Sequence, residues 1–163
     1  MGSGKSSIGR IVAAQLGFQF VDTDQMVVEK TGAQIADIFR ERGEEFFRDE
    51  ESRVLESMQN RSGLVIATGG GIILRESNTA LLRKLGPVVW LSANEEIIFD
   101  RVSRNNKRPL LQTENPRETI RTLLTQRTPL YDAAAQCAVD TGNLPHDEIA
   151  EAVILKAQRA SQE

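Results

Sequence analysis

Short apolar runs alternating with helical repeats constrain the fold of this chain more than any other feature. Leu64-Val65-Ile66-Ala67 and Val88-Val89-Trp90-Leu91 are apolar at successive positions, as expected of strands buried on both faces of a parallel sheet. Residues 18–21, ending at Asp22, and residues 138–140 read as two more short strands. Between them lie segments of helical periodicity. The first covers residues 5–16, with Ile8, Ile11, Val12 and Leu16 on one face and Gly17 as a stop. Others cover about 24–30, 34–42, 44–59, 77–85 and 95–104, with Gly32 and Gly43 as punctuation. Residues 105–115 are polar, contain Pro109 and read as a loop. Pro116 suits the first turn of a helix to about 126, and residues 149–158 form a closing amphipathic helix. Such alternation implies an α/β fold of three layers, α/β/α, around a parallel sheet. Ligands of such sheets sit outside the carboxyl ends of the strands. Asp22 and Asp24, Gly69 to Gly71, and Ser92 to Asn94 all fall there.

The first helix is preceded by Met1-Gly2-Ser3-Gly4-Lys5-Ser6-Ser7. Gly4-Lys5-Ser6 running directly into a helix is the second half of a phosphate-binding loop. The glycines let several backbone N–H groups converge on one phosphate, and the helix N-terminus adds a favourable dipole. Lys5 can bridge the β- and γ-phosphates and the Ser6 hydroxyl can ligate Mg²⁺. The full pattern has another glycine five residues before Gly4, ahead of Met1, and a strand leading into the loop. The expectation is therefore a shortened chain or a misassigned start codon; a glycine-rich tag is the plain alternative for residues 1–4.

Composition narrows the class. The 163 residues suit one compact domain, and the net charge of −3 argues against a general nucleic-acid binder. The single cysteine, Cys137, excludes an intrachain disulfide and fits a reducing cytoplasm. No apolar stretch approaches the roughly 20 residues of a membrane span, and no secretory signal opens the chain. No pattern encodes an oligomeric state, so a monomer is the default.

The acceptor side is less explicit. Asp22 and Asp24 stand two residues apart at a strand end. One can hold magnesium, through water, while the other accepts a proton from an attacking hydroxyl. Asp24 can equally be the N-cap of the next helix. Arg48 has Glu44 and Glu51 at helical spacing, which describes either a solvated salt-bridged face or one arm of a carboxylate clamp. Arg127, read as lying at a helix end before Pro129, has the same two readings. Gly69, Gly70 and Gly71 cost backbone entropy that close approach of a ligand would explain. Arg101, Arg104, Lys107 and Arg108 form either a solvated basic helix end or a lid that neutralises charge on a transferred group.

Together these segments resemble the shikimate kinases of the bacterial single-domain kind. The match comprises Met1-Gly2-Ser3-Gly4-Lys5-Ser6, Asp22-Thr23-Asp24, residues 43–48 ending at Arg48, Gly69-Gly70-Gly71, residues 107–111 and Arg127-Thr128-Pro129-Leu130-Tyr131. They follow the family's order and spacing across nearly the whole chain. The resemblance implies a nucleoside-monophosphate-kinase-like fold with sheet order 2-3-1-4-5, here without its first strand. It implies ATP- and Mg²⁺-dependent phosphorylation of the shikimate 3-hydroxyl on the route to chorismate and the aromatic amino acids. By resemblance, Gly2, Ser3, Gly4, Lys5, Ser6 and Ser7 hold the nucleotide phosphates. Ser6 and Asp22 serve the metal, and Asp24 binds shikimate and is the candidate base. Arg48 and Arg127 take the carboxylate, Gly69, Gly70 and Gly71 line the pocket, and Arg108 meets the transferring phosphate. Arg101, with the segment 143–145, is placed against adenine. The acceptor region is expected over about 24–60 and the lid over about 105–115 of a single domain 1–163. Two other functions stay open on the residues: a different small-molecule kinase of this fold, such as a gluconate kinase relative, and a non-catalytic shikimate-binding paralogue.

Overall fold

A computed structural model describes residues 2–103, 115–142 and 144–162. Helix α1, Lys5–Leu16, leads to strand β1, Gln19–Asp22, then α2, Thr23–Thr31, and α3, Ile35–Glu56. Strand β2, Leu64–Ala67, is followed by a 3₁₀ turn, Ile72–Leu74, and α4, Glu76–Leu85. Strand β3, Val89–Ser92, precedes α5, Glu95–Ser103. Then come α6, Pro116–Ala134, strand β4, Cys137–Asp140, and α7, His146–Ala160.

The strands pair in parallel as β1 with β2, Gln19 opposite Leu64, and β3 with β4, Val89 opposite Cys137. Among the described residues these are two separate two-stranded sheets. A cavity beside β3 is lined by the six consecutive residues Val88 to Ala93. Side chains alternate across a strand, so a run of consecutive lining residues means that β3 turns its edge to the cavity. Ser3, Lys5, Thr68, Gly69 and Gly70 close one end.

Helices cover both faces, as the apolar runs require. Ile8 and Val12 of α1 pack with Ile149 and Ala150 of α7 on Val65, Val89, Leu91 and Val139, bridging the two strand pairs. On the opposite face Val27, Ile38, Phe47 and Val54 cover Val21, Leu64 and Ile66. Val65 and its neighbours Leu64 and Ile66 therefore face opposite layers, the period of two that a strand dictates.

Gly43 breaks α3 as the sequence reading expects: its φ of 82° and ψ of 168° are not helical, so Ile35–Glu56 is two helices meeting at a kink, the second ending at Glu56 rather than 59. One boundary departs from that reading. Helix α6 does not stop near 126 but continues through Pro129 to Ala134. Ile120, Leu124, Tyr131 and Ala134 all pack inward, and this burial outweighs the one hydrogen bond that a proline lacks. Arg127 is consequently a helix-interior residue. The proposed loop is outside the described residues up to 114, and Asn115 is the N-cap of α6, accepting from Glu118 N–H.

Candidate active site

Gly4 caps α1 with φ 82°, and no side chain caps the helix end. The first backbone donors of α1 are thus left facing the loop formed by Gly2, Ser3 and Gly4. Ser3 is buried, and Lys5 Nζ donates to its Oγ at 3.5 Å. Ser7 is exposed one residue beyond Ser6 on the first turn. The Ser6 hydroxyl donates to Asp22 Oδ2 at 2.7 Å. Asp22, not Asp24, is the N-cap of α2: its Oδ1 accepts from the backbone N–H groups of Asp24 and Gln25. The cap reading of Asp24 is therefore corrected. With the capping done by its neighbour, the Asp24 carboxylate lies instead against the glycine turn.

That turn joins β2 to the 3₁₀ segment. Buried Thr23 accepts from the Gly69 N–H at 3.1 Å, and the Tyr131 hydroxyl donates to the Gly70 carbonyl at 2.6 Å. A β-carbon on Gly69 would stand 2.5 Å from both Asp24 Oδ1 and Glu51 Oε1, and one on Gly71 would collide with the Arg48 guanidinium. Glycine is required because functional side chains approach the backbone this closely.

Arg48 is buried, which overturns the reading of a solvated salt-bridged face. Its Nη1 donates to Glu51 Oε2 at 2.5 Å and its Nη2 to Glu44 Oε1 at 2.8 Å. Burial works against the cation, but Glu51 and Glu44 more than offset it and hold the guanidinium above its ordinary pKa. Glu51 is fully buried. Desolvation raises its carboxyl pKa despite the opposing pull of Arg48, and the charge of Asp24 adds to the rise. Its Oε1 has no hydrogen-bond partner among the described residues. Arg127 is also buried, and its charge acts on both Glu51 and Tyr131. Two cations and two carboxyl groups therefore converge on one glycine turn.

Arg101 sits at the other flank. It donates to Thr141 Oγ1 at 3.0 Å, to Thr141 O at 2.5 Å and to Gly2 O at 3.5 Å, tying α5 and the end of β4 to the phosphate loop. Arg104, Lys107, Arg108 and Asn143 lie outside the described residues. Sequence reasoning passes over Thr23, Glu51 and Tyr131 as site members. Tyr131 was accessible as the residue one helical turn beyond Arg127, but the expected helix end near 126 hid that relation.

A glycine loop opening onto a helix N-terminus without a side-chain cap, a lysine and a hydroxyl–carboxylate pair, set beside an acceptor pocket at the strand ends, defines a P-loop phosphotransferase acting on a small molecule. Comparison with known proteins resolves the class further. The shikimate kinase family model matches residues 1–158. A shikimate kinase of Thermodesulfovibrio yellowstonii is 45% identical over 161 residues, covering 99% of this chain and 92% of that protein. One of Vibrio campbellii is 44% identical over 154 residues, covering 94% and 90%. Among solved structures, the shikimate kinase of Acinetobacter baumannii in complex with shikimate superposes with a TM-score of 0.94 at 38% identity, covering all of this chain and 91% of that one. The Aquifex aeolicus enzyme gives 0.84 at 29% identity, covering 97% and 92%. The chain belongs to the shikimate kinase family.

Proposed function

We propose that this protein transfers the γ-phosphoryl group of ATP to the 3-hydroxyl of shikimate, giving shikimate 3-phosphate and ADP for chorismate and aromatic amino acid synthesis. The observation that carries the reading is the convergence of Asp24, Arg48 and the glycine turn at the end of the cavity shared with Ser3 and Lys5. An acceptor with a carboxylate at one end and hydroxyls at the other fits between cations and acid.

Each residue has a role on this reading. The loop from Gly2 to Ser7 cradles phosphates, and Lys5 follows charge onto the γ-phosphoryl oxygens. Arg48 and Arg127 grip the acceptor carboxylate, and Gly69 to Gly71 form the wall against which its ring lies. Asp24 holds an acceptor hydroxyl and takes its proton during attack. Fixing both ends of one small ring supplies orientation, a large part of such a rate enhancement. Arg101 serves adenine from its place beside Thr141, and Arg108 keeps the phosphate-facing role on the family motif alone. Residues 24–60 act as the acceptor region and 105–115 as the lid of one domain, 1–163.

The donors present suit Mg²⁺. Ser6 Oγ and Asp22 Oδ2 are hard oxygen ligands 2.7 Å apart beside the phosphate loop. Mg²⁺ is usually held by one or two such groups plus substrate phosphates. Accordingly, no cluster of three or more His, Cys, Asp or Glu side chains is needed, and none occurs among the described residues. Bound there, Mg²⁺ would neutralise charge on the β- and γ-phosphates. No described helix is long and apolar enough to cross a membrane; the proposal places the enzyme in the cytoplasm, as a monomer, with no nucleic-acid partner.

Arg127→Ala tests the clamp. Shikimate turnover is expected to collapse while nucleotide binding persists. Unchanged turnover would remove Arg127 from the acceptor site.

A further inference from the structure

Tyr131 lines this pocket and has no role in the scheme above, and its contacts are specific. It stands four residues after Arg127 on α6, so both side chains leave one face of the helix. Its ring stacks on Trp90 of β3, with centroids 5.9 Å apart and an interplanar angle of 28°. Its hydroxyl donates to the Gly70 carbonyl at 2.6 Å, and the charge of Arg127 acts on it from one helical turn away. Burial pushes the phenol pKa up, so it stays a neutral donor. On the far side of the turn, Thr23 takes the Gly69 N–H, next in sequence to Asp24. The glycine turn is therefore pinned at two points, one beside the acid and one beside the clamp.

We propose that Tyr131 is a positioning residue: its hydroxyl couples Arg127 to the Gly70 carbonyl and so fixes the distance between the carboxylate clamp and the glycine wall. The proposal rests on the acceptor-site reading above. The ring supplies packing and the hydroxyl supplies registration, so the two are separable. Without the hydroxyl, Gly70 loses its donor and Arg127 loses a neighbour that holds its fork in one orientation. An acceptor gripped through its carboxylate then binds in several poses rather than one.

The test is steady-state kinetics on Tyr131→Phe, which keeps the ring. Loss of one buried hydrogen bond corresponds to a rise in the KM for shikimate of roughly five- to tenfold. The KM for ATP is expected to stay near wild type, and the melting temperature to fall by only a few degrees as the Gly70 carbonyl loses its donor. Read as shikimate binding by titration calorimetry, which needs no turnover, the effect is expected to vanish in an Arg127→Ala background, because Tyr131 acts through Arg127. Trp90→Phe serves as the packing control: it trims the stack but keeps the hydroxyl, so the melting temperature falls while the shikimate KM holds. An unchanged shikimate KM, an equal rise in both KM values, full additivity with Arg127→Ala, or failure of Tyr131→Phe to fold would each assign Tyr131 to stability and overturn the proposal. If the folded wild-type protein binds ATP yet never turns over shikimate, the acceptor-site reading fails instead.

Discussion

The guanidinium of Arg48 occupies the space that a β-carbon on Gly71 would need. Backbone and cation are packed as one object, and Glu51 holds the cation from behind at 2.5 Å. Gly71→Ala must therefore displace Arg48 or distort the turn. Overpacking of this kind costs about 1–3 kcal/mol, and 1.4 kcal/mol is tenfold in affinity. The shikimate KM is expected to rise by at least about fivefold, with the ATP KM little changed; a coupled assay varying each substrate in turn measures both.

Asp22 carries two loads that substitutions can separate. It caps α2 through Asp24 and Gln25 N–H, and it accepts from Ser6 beside the phosphate loop. Asp22→Asn keeps a capping oxygen but loses the charge, so its melting temperature is expected to stay near wild type while the Mg²⁺ concentration for half-maximal activity rises. Asp22→Ala is expected to lose about 1 kcal/mol of stability as well. Thermal melts and Mg²⁺ titrations of the two variants distinguish cap from metal.

Glu51 gives the fold a pH dependence of definite sign. Burial raises its carboxyl pKa above the unfolded value, so the folded chain keeps this proton to higher pH than the unfolded chain does. Its contribution to stability is full below the unfolded pKa, about 4.3, and is lost as pH rises through the folded value. Glu51→Gln removes the titration. Relative to wild type, this variant is expected to gain stability as pH rises from about 4 toward 8, as read by urea unfolding. A constant difference across that range would contradict it.

The cavity beside β3 predicts a gain from addition. An apolar strand of about five residues and a loop glycine ahead of Gly2 would pair with the β3 edge and fill the cavity lined by Val88 to Ala93. A higher melting temperature and tighter ATP binding are expected; an unchanged melt would mean that the strand does not dock there.

Much of this was legible in the residues. The apolar runs at 64–67 and 88–91 gave parallel strands to within one residue, though the strands are half-buried rather than buried, Ala67 alone being enclosed. The glycine triplet pointed to close approach of a ligand; the groups that approach Gly69 and Gly71 in the structure are the chain's own Asp24, Glu51 and Arg48. What stayed hidden depends on tertiary burial. The spacing of Glu44, Arg48 and Glu51 is identical on a wet face and in a core, so only packing could decide between them. Pro129 looks like a stop until the inward contacts of Tyr131 and Ala134 are known. The exchange of cap and acid between Asp22 and Asp24 turns on a shift of two residues in the helix start, finer than propensity resolves.

The most direct measurement is ADP release with ATP, Mg²⁺ and shikimate, from this chain and from the strand-extended form. Turnover with shikimate by at least the extended form, and none with a sugar acid, is the expected result. A folded, ATP-binding protein that releases no ADP with shikimate in either form would contradict the proposed activity.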